Sequence, residues 1–370
     1  MDLGSPECYV DQVSCFMNTF KGYLNSNLWN RQARFDLSKI PDLSGRVAIV
    51  TGGNGGLGYE TCLELARHGA KVYMASRNES KAKLSIRKIL SEIPNAKIDY
   101  LYFDLTILSS AKKASIRFMN QEDRLDILIN NAGAMMTPYE LSIDGIELQA
   151  CDTTGHFALT HYLLPILKNT SKLSNVRIIN ITSMAHYLIR KPNLSTLDGL
   201  NSKSLSGWGR YKTSKLTNIL FNNQLQKRLE DTNITCLAVH PGIVYTDVFR
   251  NLFPTESQSE YLSFTSLHES WISINIICLI YIRFLSFLIS FLIDPLMKLF
   301  MCDAKQGALT QLYAATSPEI ETKNLKSNYI VPYGQIGRKS LYAQDLDGKL
   351  GRSLWMLCMK LLYLEENRQE

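Results

Sequence analysis

The chain reads as an α/β protein built on one doubly wound parallel sheet, and three observations predict this. Short β-branched apolar runs recur at 47–50, 71–76, 97–103, 125–130, 176–182, 234–240 and 329–332. Segments of helix length separate them. The runs carry little polar alternation, as strands buried on both faces do. Strand–helix–strand order at this spacing gives right-handed crossovers, with ligands at the carboxyl ends of the strands.

Length and composition agree. A chain of 370 residues with 45% hydrophobic content can bury a sizeable core without disulfide or metal staples. Forty Lys and Arg against 34 Asp and Glu give a mild charge of +6, and the basic residues are scattered, so nucleic acid is not an expected partner. The eight cysteines show no C-x-x-C pair and no Cys/His cluster that suggests a metal. They read as free, mostly buried thiols of a reducing compartment. The first twenty residues hold acidic groups and no apolar h-region, which does not match a secretory signal. Residues 1–43 read as an N-terminal extension.

The run 47–50 leads into TGGNGGLG (51–58) and then a helical segment. Glycines at 52, 56 and 58 let the backbone approach a pyrophosphate, and the helix start points N–H groups at it. The second strand ends at Ser76-Arg77, where a carboxylate would bond a ribose 2′-hydroxyl. An uncharged Ser followed by a guanidinium suits a 2′-phosphate instead, so NADP(H) is favoured over NAD(H). Asp104 ends the third strand, within reach of an adenine or as a helix N-cap.

Ser183 follows the strand at 176–182. Tyr211 and Lys215 lie four residues apart on a helix that begins near Gly209, which stacks them on one face. Hydride transfer to a carbonyl needs a proton donor at the developing alkoxide. A tyrosine serves if a nearby ammonium stabilises its phenolate. Ser183 would hydrogen-bond the substrate oxygen.

With these residues in order, the chain resembles the short-chain dehydrogenase/reductase superfamily. TGGNGGLG matches its T-G-x-x-x-G-x-G, Asn130–Gly133 its N-N-A-G, Tyr211–Lys215 its Y-x-x-S-K, and Pro241–Thr246 its P-G-x-V-x-T. The resemblance covers about 44–250 and 303–360 and implies a single Rossmann-like domain. The long gap from Ser183 to Tyr211, the run GHFALTHYLLPILK and the tail DAKQGALTQLYAATSPEIE resemble the retinol-dehydrogenase-like branch, which includes fungal membrane and lipid-droplet oxidoreductases. The resemblance implies that Gly52, Gly56, Leu57 and Gly58 hold the pyrophosphate and Arg77 the 2′-phosphate. Asp104 and Asn131 would line the adenosine half, Lys215 the nicotinamide ribose, and Val244 and Thr246 the carboxamide. It implies catalysis by Ser183, Tyr211 and Lys215, and homo-oligomers are common in the family. One position departs: Asp152 stands where the family often has an Asn that positions a water.

Between strand 234–240 and the helix starting near Ala304 lies an insertion, 251–302, read as a substrate lid. Its segment Trp271–Ile293 is a run of 23 residues with a single charge, Arg283. As a helix it would reach about 35 Å, enough to cross a bilayer core. A lone crossing would put two strands of one sheet on opposite sides of the membrane, so a shallow hairpin or in-plane helix is expected. The sequence thus predicts an NADP(H)-dependent oxidoreductase of a hydrophobic alcohol and its aldehyde or ketone. Its place would be the cytosolic face of the endoplasmic reticulum or lipid droplets, with the cytoplasm as the alternative. The rival function is a non-catalytic, membrane-associated binding protein on the same scaffold.

Overall fold

A computed structural model describes residues 35–189, 192–244 and 301–367, with Met17 besides. The strands are β1 (Val47–Thr51), β2 (Lys71–Ser76), β3 (Ile98–Tyr102), β4 (Ile127–Asn130), β5 (Val176–Ile181), β6 (Ile234–Val239), β7 (Tyr329–Val331) and β8 (Gln335–Gly337). They form one sheet in the order β3-β2-β1-β4-β5-β6-β7-β8, parallel except for the β7–β8 pair. The order reverses between β1 and β4, where Ala48 to Val50 pair with Ile127 to Ile129. That reversal opens the crevice in which such sheets bind ligands.

The helices are α1 (Gly56–Arg67), α2 (Glu79–Glu92), α3 (Leu108–Met119), α4 (Cys151–Ser171), α5 (Leu197–Asn201), α6 (Gly207–Arg228), α7 (Ala304–Thr316), α8 (Glu319–Thr322), α9 (Leu341–Gln344) and α10 (Lys349–Glu366). Local chemistry sets several of their starts. Asn78, Ser206 and Asp303 each accept a backbone N–H of the first turn of α2, α6 and α7. The cap of α1 is Gly55, with no side-chain bond to its first turn.

β1, β4, β5 and β6 are buried at every position, which accounts for their unbroken apolar runs. β3 differs from that expectation: Asp99 and Tyr102 are exposed, because β3 forms an edge of the sheet. β8 was not foreseen. Its three residues QIG are too short to leave a periodic signal, and they pair antiparallel as the other edge. Two apolar cores result, one on each face of the sheet. Phe35, Ile40 and Leu43 of the N-terminal segment are buried in the core beside α1 and α7, with Phe35 edge-on to Tyr313 at 5.4 Å. On the opposite face α10 packs on α6, α4 and α3, and Trp355 meets Phe157 at 4.8 Å. Cys62, Cys151, Cys236 and Cys358 are free and buried, and Cys302 is buried too.

The amino edge of the sheet is tied by Asp126. Its carboxylate accepts from Arg46, from Arg124 twice, from the Val47 N–H and from Ser174, all between 2.6 and 3.0 Å. Burial alone would push its pKa up, but Arg124, the Val47 N–H and Arg46 hold it below the usual carboxylate range. Asp126→Asn should lower stability by about 1.5–3 kcal/mol, the worth of hydrogen bonds to a charged group. Because the folded pKa is depressed, this contribution is full above about pH 4 and fades as pH falls through the folded value. Urea unfolding of both proteins at pH 7 and pH 3 checks it: the gap should narrow at pH 3.

Candidate active site

The carboxyl ends of β1, β4, β5 and β6 converge on a cavity of about 270 Å³. Leu57, Asn131, Ser183, Tyr211, Lys215 and Val244 all line it, so residues spread over almost 190 positions meet at one place. A larger surface cleft of about 780 Å³, beside Phe35, Tyr313 and Gln335, carries none of them.

The turn after β1 requires its glycines. Gly52 has φ +66° and Gly56 φ +51°, a region that side chains rarely adopt. A Cβ on Gly58 would stand 2.3 Å from the Gly52 carbonyl oxygen and 2.7 Å from Asn131 Nδ2. Above them α1 begins without a side-chain cap. A tight glycine turn under an uncapped helix start offers backbone N–H donors and positive dipole to an anion, which fits a dinucleotide pyrophosphate. Leu57 packs against Gly307 of α7, where a Cβ would come 2.7 Å from Leu57 Cδ2 and 2.5 Å from Val244 Cγ2.

Asn131 is fixed by β1, its Nδ2 donating to the Thr51 carbonyl (2.8 Å) and its N–H to Thr51 Oγ1 (2.9 Å). Thr51 Oγ1 also bonds His156 Nε2 (2.8 Å), and His156 Nδ1 bonds the Asp152 carbonyl (2.7 Å). A carbonyl only accepts, so Nδ1 carries the proton and Nε2 accepts from Thr51. Burial pushes the His156 pKa down to about 3, consistent with a neutral ring.

Ser183 follows β5 as the cap of a short 3-10 turn, Met184–Leu188, and its Oγ accepts the Ala185 N–H (3.2 Å). Its own proton is left to donate. Lys215 is locked to the strand end by Thr182 Oγ1, which donates to its carbonyl at 2.6 Å. The ammonium lies 5.3 Å from the Tyr211 ring centre and 2.8 Å from Asp152 Oδ2. Burial pulls the Lys215 pKa down, but the Asp152 charge, Tyr211 and the hydrogen bond to Asp152 outweigh it, and the net direction is up. The ammonium therefore stays protonated although it is buried.

Arg77 is exposed at the end of β2 and makes no ion pair among the described residues. Asp104 turns its Oδ1 to the N–H (2.9 Å) and hydroxyl (2.7 Å) of Thr106, so it caps a turn rather than a helix. The start of α3 is held instead by Asp144, which accepts the Leu108 N–H at 2.8 Å. Thr246 lies outside the described residues.

Sequence reasoning missed two contributors. Trp208 stacks on Tyr211 at 5.5 Å, and its place three residues earlier on the same helix was the available signal. The buried pair Glu147–Arg210 (2.9 Å) had no such signal. Arg210 also donates to the Thr137 carbonyl (2.9 Å), so it pins the 131–150 stretch to the helix that carries Tyr211.

Known proteins place this arrangement. A sequence profile described as short chain dehydrogenase matches residues 46–257. An uncharacterized oxidoreductase of Schizosaccharomyces pombe is 36% identical over 331 residues, 88% of this chain and 86% of that protein. Retinol dehydrogenase 12 of Mus musculus is 32% identical over 324 residues, 87% and 88% of the two chains. Among solved structures, an uncharacterized protein from Mycobacterium paratuberculosis superposes with a TM-score of 0.62 at 30% identity, covering 89% of this chain and 97% of its own. The rival reading as a non-catalytic scaffold gives way to these oxidoreductase relatives. With the motif order, the sheet and the relatives in agreement, the chain belongs to the short-chain dehydrogenase family, in its retinol-dehydrogenase-like branch, as an NAD(P)-dependent oxidoreductase acting on CH–OH groups.

Proposed function

We propose that the protein interconverts a hydrophobic alcohol with its aldehyde or ketone, using NADP(H) and the side chains of Ser183, Tyr211 and Lys215. The observation that carries this reading is the grouping of all three on one cavity, with a buried ammonium beside the tyrosine ring. A dinucleotide held there would supply the hydride in reduction and take it up in oxidation. Tyr211 delivers a proton to the substrate oxygen in reduction and removes it in oxidation. Ser183 donates its hydroxyl proton to the same oxygen and orients it. Lys215 stabilises the phenolate and would hold the nicotinamide ribose. Gly52, Gly56, Leu57 and Gly58 would hold the pyrophosphate, Asn131 and Asp104 the adenosine half, and Val244 and Thr246 the carboxamide. Met135, Met184, Trp208 and Ile243 give the cavity an apolar lining suited to an apolar substrate.

The NADP(H) preference rests on Arg77, exposed beside an uncharged Ser76 and without a carboxylate partner among the described residues. An approach from lipid rests on the sequence 271–293, which lies outside the described residues. No helix among the described residues is long and apolar enough to cross a membrane. The flanks of the insertion support a same-side arrangement: Val244 and Cys302 form a parallel bridge, and the Cys302 N–H donates to the Ile243 carbonyl at 2.9 Å. The described ends of the insertion, Val244 and Cys302, thus lie side by side.

Three outcomes test this function. Tyr211→Phe should lose roughly 10²- to 10⁴-fold in kcat for aldehyde reduction, the usual share of general acid catalysis, while NADPH binding by fluorescence stays nearly unchanged. Substantial turnover in that variant would sink the mechanism. Arg77→Ala should weaken NADPH binding by about 1.5–3 kcal/mol and leave NADH almost untouched, because only the former has a 2′-phosphate. Equal losses for both would make Arg77 a surface charge only. Replacing Ile280, Phe284, Phe287 and Phe291 with Ser should move the protein from floating membrane fractions to the soluble fraction. A wild-type protein soluble without detergent would overturn the lipid reading.

A further inference from the structure

Asp152 lies in the first turn of α4, where a carboxylate is ordinarily explained by the helix dipole. The dipole accounts for little of what is seen here. The side chain is completely buried, Oδ1 accepts the Ala134 N–H (3.0 Å), and Oδ2 accepts from Lys215 Nζ on another helix (2.8 Å). The 131–134 loop closes over the pair so tightly that a Cβ on Gly133 would come 3.1 Å from Asp152 Oδ2 and 3.4 Å from Lys215 Nζ. Removing two charges from water is costly unless each meets the other. A helix start does not need that arrangement.

We propose that Asp152 is a positioning residue of this site: its carboxylate fixes the Lys215 ammonium and supplies its countercharge, so Tyr211 works beside a neutralised ion pair and not beside a lone cation. The inference rests on the reading of Tyr211 as the proton donor.

The surrounding groups leave this role to Asp152. Tyr211 faces the ammonium from α6 and His156 from α4, Cys151 adjoins Asp152, and His240 lines the same cavity from the end of β6. Burial holds both imidazoles near pKa 3, hence neutral, and pushes the Cys151 thiol up, hence protonated. Burial pushes the Asp152 carboxyl above its ordinary range, opposed by the Lys215 charge and the hydrogen bonds from Lys215 and the Ala134 N–H, and with that direct contact we read the two as an ion pair. An ammonium within a few ångströms stabilises a phenolate, and a carboxylate bonded to that ammonium cancels part of its field.

The test is the pH profile of kcat/KM for NADPH-dependent reduction of dodecanal by the full-length protein in detergent. Wild type, Asp152→Asn, Asp152→Ser and Asp152→Glu are compared, with Tyr211→Phe as the control. Reduction consumes the Tyr211 proton, so its rate falls at high pH. With the countercharge removed, the uncompensated ammonium favours the phenolate, and the falling limb should move to lower pH by on the order of one unit in the Asn and Ser variants. Asp152→Glu keeps the charge and should keep the limb near its wild-type position. A limb that stays put, or moves to higher pH, in an active neutral variant overturns the proposal. So does failure of both neutral variants to fold while Asp152→Glu folds, because the pair would then serve stability alone. An active Tyr211→Phe would instead defeat the underlying mechanism, whatever the Asp152 variants do.

Discussion

The central strands β1, β4, β5 and β6 have no exposed position, so polar chemistry has to stand at the ends of the strands. At the amino edge charge is set into ion pairs: Asp126 with its two arginines, which hold β1 and β4 together, and Arg177 with Glu321. At the carboxyl edge it gathers Asn131, Ser183 and His240 around one cavity rim, with Thr51 beneath holding Asn131. Where the order of strands reverses between β1 and β4, no crossover covers the crevice, and the glycine turn under α1 opens into it.

The site is held by a connected set of buried hydrogen bonds. Thr51 at the end of β1 links Asn131 on one side and His156 on the other, and His156 holds the main-chain carbonyl of Asp152. Asp152 in turn holds Lys215, whose carbonyl is tied to Thr182 at the end of β5. The α4–α6 interface carries further bonds, among them Thr153 to Thr217 and to Asn218 at 2.6 Å each. A satisfied buried network of this kind has little freedom, because breaking one bond strands a polar group in a dry interior. The lysine and tyrosine thus sit on a helix whose depth is set by strands, not by a mobile loop.

Parts remote from the chemistry support this arrangement. α10 covers the faces of α6, α4 and α3, and Arg228 lies 3.9 Å over the Trp355 ring. On the other face the segment from Phe35 to Leu43 seals the core near α1 and α7. α7 in turn reaches Val244 and Leu57 through Gly307, so the returning end of the insertion and the nucleotide turn share one contact.

Much of this was legible in the primary structure. Strand runs at regular spacing determined the sheet, since a strand buried on both faces cannot carry polar alternation. The glycine spacing, Tyr211 and Lys215 at i and i+4, and Ser183 after β5 were readable because each depends on a neighbour within a few residues. Other features depend on groups distant in sequence. The 2.8 Å bond between Asp152 and Lys215 joins positions 63 apart, and composition gives no sign that two opposite charges will be buried together. The edge character of β3 follows from which strands pair, and β8 is three residues held by its partner alone. Asp104 illustrates the limit well: its position after a strand was plain, but only folding decided that its carboxylate turns to Thr106 while Asp144, 36 residues beyond the helix start, takes the N–H of Leu108. Local spacing determined which side chains share an element. Packing between elements decided which charges meet, because Coulomb and hydrogen-bond energies depend on distance in space and not on distance along the chain.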